Sequence, residues 1–254
     1  MSSDIWTQEE LLSSAIPLRA RAWRAVEAQH RVSTAKLTDS APEQERLEQL
    51  IEDSKPTIPE ECRHLSFLLS TPFRYGAVYP IGSRFRRSGL TAGVFYAAEL
   101  SKTTITEIAF YRVLFFADSP LTPWPKNPGE YTAFAIEFEA TRALDLTRSP
   151  LDRHALLWKH PTDYSHCQAL ADGARTVDVQ AIKYESVRAP PEMNYALLTC
   201  RVFAKPEEVA RETWRIHLSS SGVRVFCEMP RVSYDLPRTI FDADPRTQAM
   251  NWKR

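Results

Sequence analysis

The spacing of apolar residues predicts a helical beginning for this chain. An amphipathic helix repeats its apolar side chains every three or four residues, and two sets of residues near the start have that spacing: Leu11, Leu12, Ile16, Ala20 and Trp23, and again Leu47, Leu50 and Ile51. Ser40, followed by Pro42 and Glu43, has the residue order of a helix start. We predict two or three helices over residues 1–60, which would pack on the rest of the molecule or hold a partner.

From about residue 61 the pattern changes to a mixture of strands and helices. Helical spacing of apolar residues predicts helices over residues 61–69, 103–116 and 165–175. Alternating or continuous apolar runs predict strands over residues 93–97, 131–138, 177–184, 195–203, 214–218 and 223–227. Because these elements do not follow the strand–helix–strand rhythm of a parallel sheet, the expected fold class is α+β.

Composition narrows the function classes. The chain has 254 residues, which is enough for one large domain or for a domain with an appendage. Its 32 basic residues balance its 32 acidic residues, so no overall positive field would recruit nucleic acid or an anionic membrane. The seven glycines are spaced so that they cannot form either standard glycine-rich phosphate-binding loop. A nucleotide bound here would therefore be held mainly by side chains.

The cysteine, histidine and hydropathy patterns add further exclusions. Cys62, Cys167, Cys200 and Cys227 lie too far apart for a paired metal motif, and no two histidines have zinc-protease spacing, so we expect no metal site. We expect all four cysteines to be reduced thiols. The first residues lack the apolar core of a secretion signal, and no apolar run approaches the length of a membrane helix. The expected location is the cytoplasm.

A short loop rich in arginine is the first candidate for ligand binding. Arg84 and Arg86 lie between two glycines and just before the apolar run at residues 93–97. Planar guanidinium groups bind phosphate or carboxylate through paired hydrogen bonds. Arg74, which the pattern places on the preceding loop, could support them. The alternative is an ordinary basic loop in solvent.

Three further residues are candidates, each with a structural alternative. Tyr96 lies on the strand predicted at 93–97 and is either a core tyrosine or a functional one. Glu107 lies on a helix that is apolar on nearly every side, so its carboxylate needs a polar partner or a ligand, unless it forms a capping box with Thr104. Ser186 follows a predicted strand, where serine commonly forms a turn, and no hydrolase nucleophile motif surrounds it.

Taken in order along the chain, these motifs resemble the RES domain family. The segments are Arg84-Phe85, Gly93-Val-Phe-Tyr96-Ala-Ala, Thr106-Glu107 and Tyr184-x-Ser186-Val-Arg188. The interval of eleven residues from Tyr96 to Glu107 is similar to that of the family. The aromatic residue after Arg84 favours Arg84 over Arg86 as the arginine of the family name. The resemblance covers residues 65–230, roughly.

The resemblance implies an ADP-ribosyltransferase-like core, with a mixed sheet and flanking helices, over residues 61–254, preceded by a helical N-terminal extension over residues 1–60. Family members are toxins of bacterial toxin–antitoxin pairs that consume NAD as a substrate, without a cofactor. They cleave the bond between nicotinamide and ribose, some of them with phosphate as the acceptor. The implied partner is an Xre-like antitoxin with a helix-turn-helix domain, so contact with DNA would come through the antitoxin. A homodimer is compatible with the sequence.

The resemblance also implies roles for the acid, the tyrosine and the serine. Glu107 would stabilise an oxocarbenium-like transition state, as carboxylates do in glycoside hydrolysis. Tyr96 would stack on or hydrogen-bond the nicotinamide ribose. Ser186 would hydrogen-bond either that ribose or Glu107.

The implied role of the arginines is to bind anions. Arg84, supported by Arg86 or Arg74, would hold the diphosphate or an incoming phosphate. Two alternative functions remain open: a protein ADP-ribosyltransferase, and a noncatalytic module that binds a partner through residues 1–60.

Overall fold

An eight-stranded mixed sheet forms the centre of the molecule in this computed structural model, which describes residues 6–28, 33–74, 82–89 and 91–254. Its strands are β1 (Ile16–Glu27), β2 (Phe95–Ala98), β3 (Gly129–Asp145), β4 (Ala181–Glu185), β5 (Met193–Leu197), β6 (Ala210–Ser219), β7 (Gly222–Cys227) and β8 (Val232–Pro237). The helices are α1 (Gln8–Ser14), α2 (Ala41–Ser54), α3 (Phe67–Arg74), α4 (Ser101–Asp118), α5 (Ala155–Trp158), α6 (Ser165–Thr176), α7 (Arg238–Phe241) and α8 (Pro245–Gln248). Short 3-10 helices lie at Ser33–Lys36, Glu60–Cys62, Leu151–His154 and Cys200–Val202.

Part of this sheet closes on itself. The strand order is β1-β2-β5-β4-β3-β6-β7-β8, and β1 also pairs with β3. The first five strands in that order therefore form a closed barrel without a free edge, and the last three extend the sheet from β3. β3 and β4 pair in parallel, whereas the other pairs among the described residues are antiparallel. This arrangement confirms the α+β class, while the ADP-ribosyltransferase-like architecture remains a prediction.

The main error of the sequence-based prediction concerns residues 16–27, where the structure has strand β1 instead of a helix. β1 runs antiparallel to β3 along almost its whole length and also pairs with β2 at Trp23. Leu18, Ala20 and Ala22 are apolar at every second position, which suits a strand as well as a helix. Pairing with β3 decides between the two. The N-terminal segment is therefore not helical throughout, because an inner strand of the sheet lies between helices α1 and α2.

The helix predicted to start at Ser40 is confirmed as α2, and Arg74 of α3 forms an ion pair with Glu52 of this helix. The Ser40 hydroxyl accepts a hydrogen bond from the Glu43 backbone amide at 3.4 Å, as an N-cap does. The prediction of a loop at Arg74 is wrong: this residue ends α3, because Leu69 and Phe73 are spaced to face the core on one side of a helix. The rest of the segment predicted as a loop before Gly82, residues 75–81, lies outside the described residues.

The other predicted elements are present with shifted ends. The helix expected over residues 61–69 is divided into the 3-10 helix Glu60–Cys62 and α3. The strand expected over 195–203 ends earlier, since β5 gives way to the 3-10 helix Cys200–Val202. β8 was not predicted, although its apolar residues alternate with polar ones.

The expectation of four reduced cysteines is also wrong. Cys62 and Cys200 form a disulfide whose Cα atoms are 6.0 Å apart, while Cys167 and Cys227 are free and buried. Separation along the sequence gave no sign of this pair, because the fold brings the two 3-10 helices at Glu60–Cys62 and Cys200–Val202 into contact. Within the described part of the chain, no helix is both long and apolar enough to cross a membrane.

Helix α4 is packed tightly on one side, which fixes the direction of its other side chains. Ile105 and Val113 are fully buried in an apolar cluster that includes Trp214 of β6. The opposite side of α4, including Glu107, faces a large cavity. A buried helix of this kind places a polar side chain at a defined position.

The position of β1 inside the barrel leads to a test of the fold. Ala22 is fully buried, whereas the adjacent Arg21 is exposed on the other face of β1. We expect Ala22→Asp to prevent folding, because an unpaired carboxylate buried there costs about as much as the 5–15 kcal/mol that stabilises a typical domain. Arg21→Asp is the control and should fold normally. Circular dichroism and urea unfolding measure both, and a stably folded Ala22→Asp protein would show that β1 is not an inner strand.

Candidate active site

A cavity of about 840 Å³ lies between the loop at residues 82–89, strand β2, helix α4 and the C-terminal segment. Its walls include four of the predicted residues and several others: Arg84, Arg86, Tyr96 and Glu107, together with Arg24, Tyr111, Asp118, Tyr164, Tyr184, Arg188, Asn194 and Arg246. Ser186 lies behind this wall and is fully buried. The fold therefore gathers most of the predicted residues at one place, from segments that are far apart in sequence.

Glu107 is held by two side chains, one directly after β4 and the other on the neighbouring strand β5. Its Oε1 accepts a hydrogen bond from the Ser186 hydroxyl at 2.6 Å and another from the Asn194 amide at 2.9 Å. Both bonds are made to the same oxygen, so Oε2 has no donor among the described residues. The alternative of a capping box is wrong, because α4 begins at Ser101 and Thr104 lies inside it. The carboxylate is thus oriented with one oxygen left for a ligand.

Ser186 is built to donate its proton to that carboxylate. Its hydroxyl oxygen accepts hydrogen bonds from the backbone amides of Arg188 at 3.2 Å and Ala189 at 3.0 Å. These two bonds occupy its lone pairs, so the hydroxyl hydrogen is directed to Glu107. The serine therefore forms the turn expected after β4 and binds the carboxylate as well. Asn194 on β5 completes the pair of donors, and its Oδ1 is buried without a donor among the described residues.

Tyr96 holds the arginine-rich loop in place. Its hydroxyl lies 2.8 Å from the Ser83 hydroxyl and accepts a hydrogen bond from the Phe85 backbone amide at 2.9 Å. Burial raises the pKa of Tyr96 to about 12, so the phenol is neutral at physiological pH. Its hydroxyl binds the loop, and the residue itself borders the cavity.

The loop itself is a tight turn that Gln168 secures from outside. Gly82 has a φ of +71°, which favours glycine. The Gln168 side-chain amide donates to the carbonyl oxygens of Ser83 at 3.0 Å and Arg86 at 3.2 Å. These contacts keep the loop against α6.

The structure gives the three predicted arginines different surroundings. Arg84 lines the cavity, donates to the Trp158 and His160 carbonyl oxygens at 2.7 and 3.1 Å, and lies over the Tyr164 ring at 4.6 Å. Arg86 also borders the cavity, but it is buried and donates through Nε and Nη2 to the Thr91 carbonyl oxygen at 3.2 and 3.0 Å.

Arg74 does not belong to this site, so its predicted supporting role is wrong. Its guanidinium is buried, donates to the Pro56 carbonyl oxygen and pairs with Glu52 of α2 at 2.7 Å. It is absent from the described walls of the cavity. Arg74 therefore connects α3 to α2.

The family of the chain can be stated from its sequence. The family model described as the RES domain matches residues 58–219, which is more than half of the chain. The chain belongs to the RES domain family. Arg84, Tyr96, Glu107 and Ser186 all lie in the matched segment.

The chain was also compared with curated proteins and with solved structures. A search of the curated proteins finds no significant match. Among solved structures, the chain is similar to one from the crystal structure of the M. tuberculosis MbcT–MbcA toxin–antitoxin complex, with 15% sequence identity, 90% of each chain covered and a TM-score of 0.42. A similarity of this degree supports no conclusion about this chain.

The cavity also contains arginines from outside the segment that matches the RES domain. Arg24 comes from β1 and Arg246 from α8. Arg24 was not a predicted site residue because the apolar spacing around it indicates a helix, and nothing in the sequence near Arg246 pointed to a site. Arg188 was part of the recognised motif, but no role was assigned to it.

A buried carboxylate from the C-terminal segment orients two of the arginines. Asp244 is 1% exposed and pairs through Oδ2 with Arg188 at 2.7 Å and with Arg246 at 3.0 Å. Both arginines also donate to the Pro161 carbonyl oxygen at 3.1 and 3.2 Å. Burial alone would raise the pKa of Asp244, but hydrogen bonds from Arg246 outweigh it and lower that pKa. The carboxylate therefore stays charged and fixes both guanidinium groups at the cavity.

The cavity walls are positively charged overall and partly aromatic. Among the residues that the structure describes, five arginines line them, against the two carboxylates of Glu107 and Asp118. Four tyrosines in the same part of the chain add flat apolar surface. Such a lining suits a ligand that has both anionic groups and planar rings.

The Asp244 cluster gives a prediction for stability. Asp244→Asn should destabilise the protein by about 3 kcal/mol, because it leaves two guanidinium groups side by side without their counter-ion. Asp242→Asn, at an exposed position on the same segment, is the control and should have little effect. Urea unfolding measures both.

The pH dependence of stability tests the same cluster. The pKa of Asp244 is lowered in the folded state. The contribution of its charge to the free energy of unfolding is therefore complete above the pKa of the unfolded state, about 3.9, and is lost as the pH falls through the lower pKa of the folded state. Below that pH, the difference in unfolding free energy between the parent and Asp244→Asn should shrink. A difference that does not change with pH would contradict a charged Asp244.

Proposed function

We propose that this RES-domain protein cleaves the bond between nicotinamide and ribose in NAD, and that the carboxylate of Glu107 is the catalytic group. The single observation that carries this is the orientation of its carboxylate, with Oε1 bound to Ser186 and Asn194 and Oε2 left for the ligand. The nicotinamide ring of NAD carries a positive charge, and it departs from the ribose as neutral nicotinamide. Its departure therefore requires no general acid. The difficult part is the positive charge that develops on the ribose.

A fixed carboxylate lowers the free energy of that charge. Electrostatic stabilisation by groups that are already oriented commonly contributes more to catalysis than any other effect, because these groups need no reorganisation during the reaction. The two donors to Oε1 hold Glu107 in place while the ribose changes shape. The oxocarbenium-like transition state of glycoside cleavage is stabilised by carboxylates in the same way.

The rest of the cavity supports a dinucleotide as the substrate. Its volume of about 840 Å³ is within the usual range of small-molecule sites. Arg84 is a candidate for the diphosphate, since its guanidinium borders the cavity and its bonds are made to neutral carbonyl oxygens. Tyr164 under Arg84 and Tyr111 on α4 offer ring surfaces for the bases. Ser186 acts through Glu107 and is a positioning residue.

Membership of the RES domain family supports a biological role. We propose that the protein is the toxin of a toxin–antitoxin pair, located in the cytoplasm, whose antitoxin carries an Xre-like helix-turn-helix domain. NAD is then the substrate, and phosphate or water accepts the ADP-ribose. In this role the antitoxin, rather than the toxin, contacts DNA.

Replacement of one carboxylate by an amide tests the proposed catalytic role. Glu107→Gln should lower the rate of nicotinamide release from NAD about 10²- to 10³-fold, because the amide retains the shape and loses the negative charge. Asp118→Asn makes the same chemical change on the same helix, at an exposed residue that borders the cavity, and should leave the rate nearly unchanged.

The assay follows nicotinamide by chromatography, with and without inorganic phosphate, and identifies the second product by mass spectrometry. ADP-ribose phosphate indicates phosphate as the acceptor, and free ADP-ribose indicates water. If Glu107→Gln retains the parent's rate, or if the parent releases no nicotinamide, the proposed function is wrong.

A further inference from the structure

Arg24 differs from Arg188 and Arg246, the arginines at the C-terminal side of the cavity, in its surroundings. Its Nη1 donates to the Tyr96 carbonyl oxygen at 2.9 Å, and its guanidinium lies over the Phe95 ring at 5.0 Å. Among the described residues it has no carboxylate partner. By contrast, Arg188 and Arg246 share Asp244. Among the described residues, Arg24 is thus a cation that has one carbonyl oxygen as its hydrogen-bond partner and lies over one aromatic ring.

The charge of Arg24 is costly where it lies. Burial lowers its pKa to about 10, well below the ordinary value for arginine. A guanidinium has five N–H donors in a rigid planar fork, and one hydrogen bond accounts for only one of them. The side chain borders the cavity, and none of its nitrogens is among the buried atoms without a hydrogen-bond partner. The guanidinium nitrogens that lack a protein partner are therefore not fully buried, and the cavity is the space that the residue borders.

The backbone holds this guanidinium in position. Arg24 lies on β1, which is paired on both sides by β2 and β3. Its hydrogen bond crosses to Tyr96 of β2, the same residue whose hydroxyl holds the loop that carries Arg84. Tyr96 thus binds Arg24 through its backbone and, through its hydroxyl, the two residues on either side of Arg84. A rigid cation of this kind is suited to bind an anion rather than to pack a core.

We propose that Arg24 is a binding residue for a phosphoryl group in the cavity, through the free donors of its guanidinium. The chemical class is a phosphate or diphosphate, either the diphosphate of the dinucleotide or a free phosphate that accepts the ADP-ribose. This rests on the proposed function for the identity of the ligands, although the anion site itself does not require NAD cleavage. Arg24 lies outside the residues 58–219 that match the RES domain, so this contact is a feature of the chain's own N-terminal segment.

Isothermal titration calorimetry with two probes, ADP-ribose and inorganic phosphate, tests this. Arg24→Gln retains a donor for the Tyr96 carbonyl oxygen but removes the charge, and it should weaken the affinity for at least one probe by about 10- to 100-fold. Arg24→Lys retains the positive charge without the planar guanidinium, and it should weaken the affinity for the same probe by less than Arg24→Gln does. Arg21→Gln removes an exposed arginine from the same strand and should leave both affinities at the parent's level. Thermal unfolding of each variant checks that it is folded.

The two probes distinguish the source of the phosphoryl group. A loss for ADP-ribose alone assigns Arg24 to the diphosphate of the substrate, and a loss for phosphate alone assigns it to the acceptor. Adenosine, which carries no phosphate, should bind the parent and Arg24→Gln equally.

The outcomes also separate this inference from the proposed function. If folded Arg24→Gln binds both probes as tightly as the parent does, or if the parent binds neither, the inference is overturned. If Arg24→Gln binds both probes as tightly as the parent and the parent still releases nicotinamide, the proposed function stands and only the role of Arg24 is wrong. If ADP-ribose or phosphate binding depends on Arg24 but the parent releases no nicotinamide, the anion site stands and the proposed function is wrong.

Discussion

The hydrogen bonds from Ser186 and Asn194 to Glu107 are the interaction on which the site depends. A carboxylate on an otherwise apolar helix face requires donors, since burying an unpaired charge is expensive. Here one donor follows β4 and the other lies on β5, at 2.6 and 2.9 Å. Both donors bind the same oxygen, Oε1, so they stabilise the charge of the carboxylate and leave Oε2 able to contact a ligand. Packing of α4 against β6 on its other side turns Glu107 toward these donors and the cavity.

The cavity is completed by segments on either side of the RES-domain match. β1 closes the barrel and brings Arg24 into the wall. The C-terminal segment contributes Asp244, which holds Arg188 and Arg246 in fixed positions. The positive charge of the cavity is therefore a property of the whole chain. This explains how a glycine-poor protein without a phosphate-binding loop can present several oriented cationic groups.

Local patterns predicted the fold class, most elements after residue 61 and the residues Arg84, Tyr96, Glu107 and Ser186 that the structure gathers at or behind one cavity. They failed where contacts distant in sequence decide the structure. The small apolar residues in β1 are compatible with the repeat of a helix and with that of a strand, and pairing with β3 decides for the strand. The Cys62–Cys200 disulfide and the Asp244 cluster depend on the three-dimensional arrangement, which spacing along the chain does not contain. Residue type alone also could not tell an arginine that connects helices, such as Arg74, from one that lines the cavity.

The most direct measurement of the central claim is the isotope effect on cleavage of NAD that carries deuterium at the anomeric carbon of the nicotinamide ribose. If a fixed carboxylate stabilises a developing sugar cation, this carbon becomes planar in the transition state, and the labelled substrate should react more slowly than ordinary NAD. Equal rates for the two substrates, or no release of nicotinamide from either, would contradict the account.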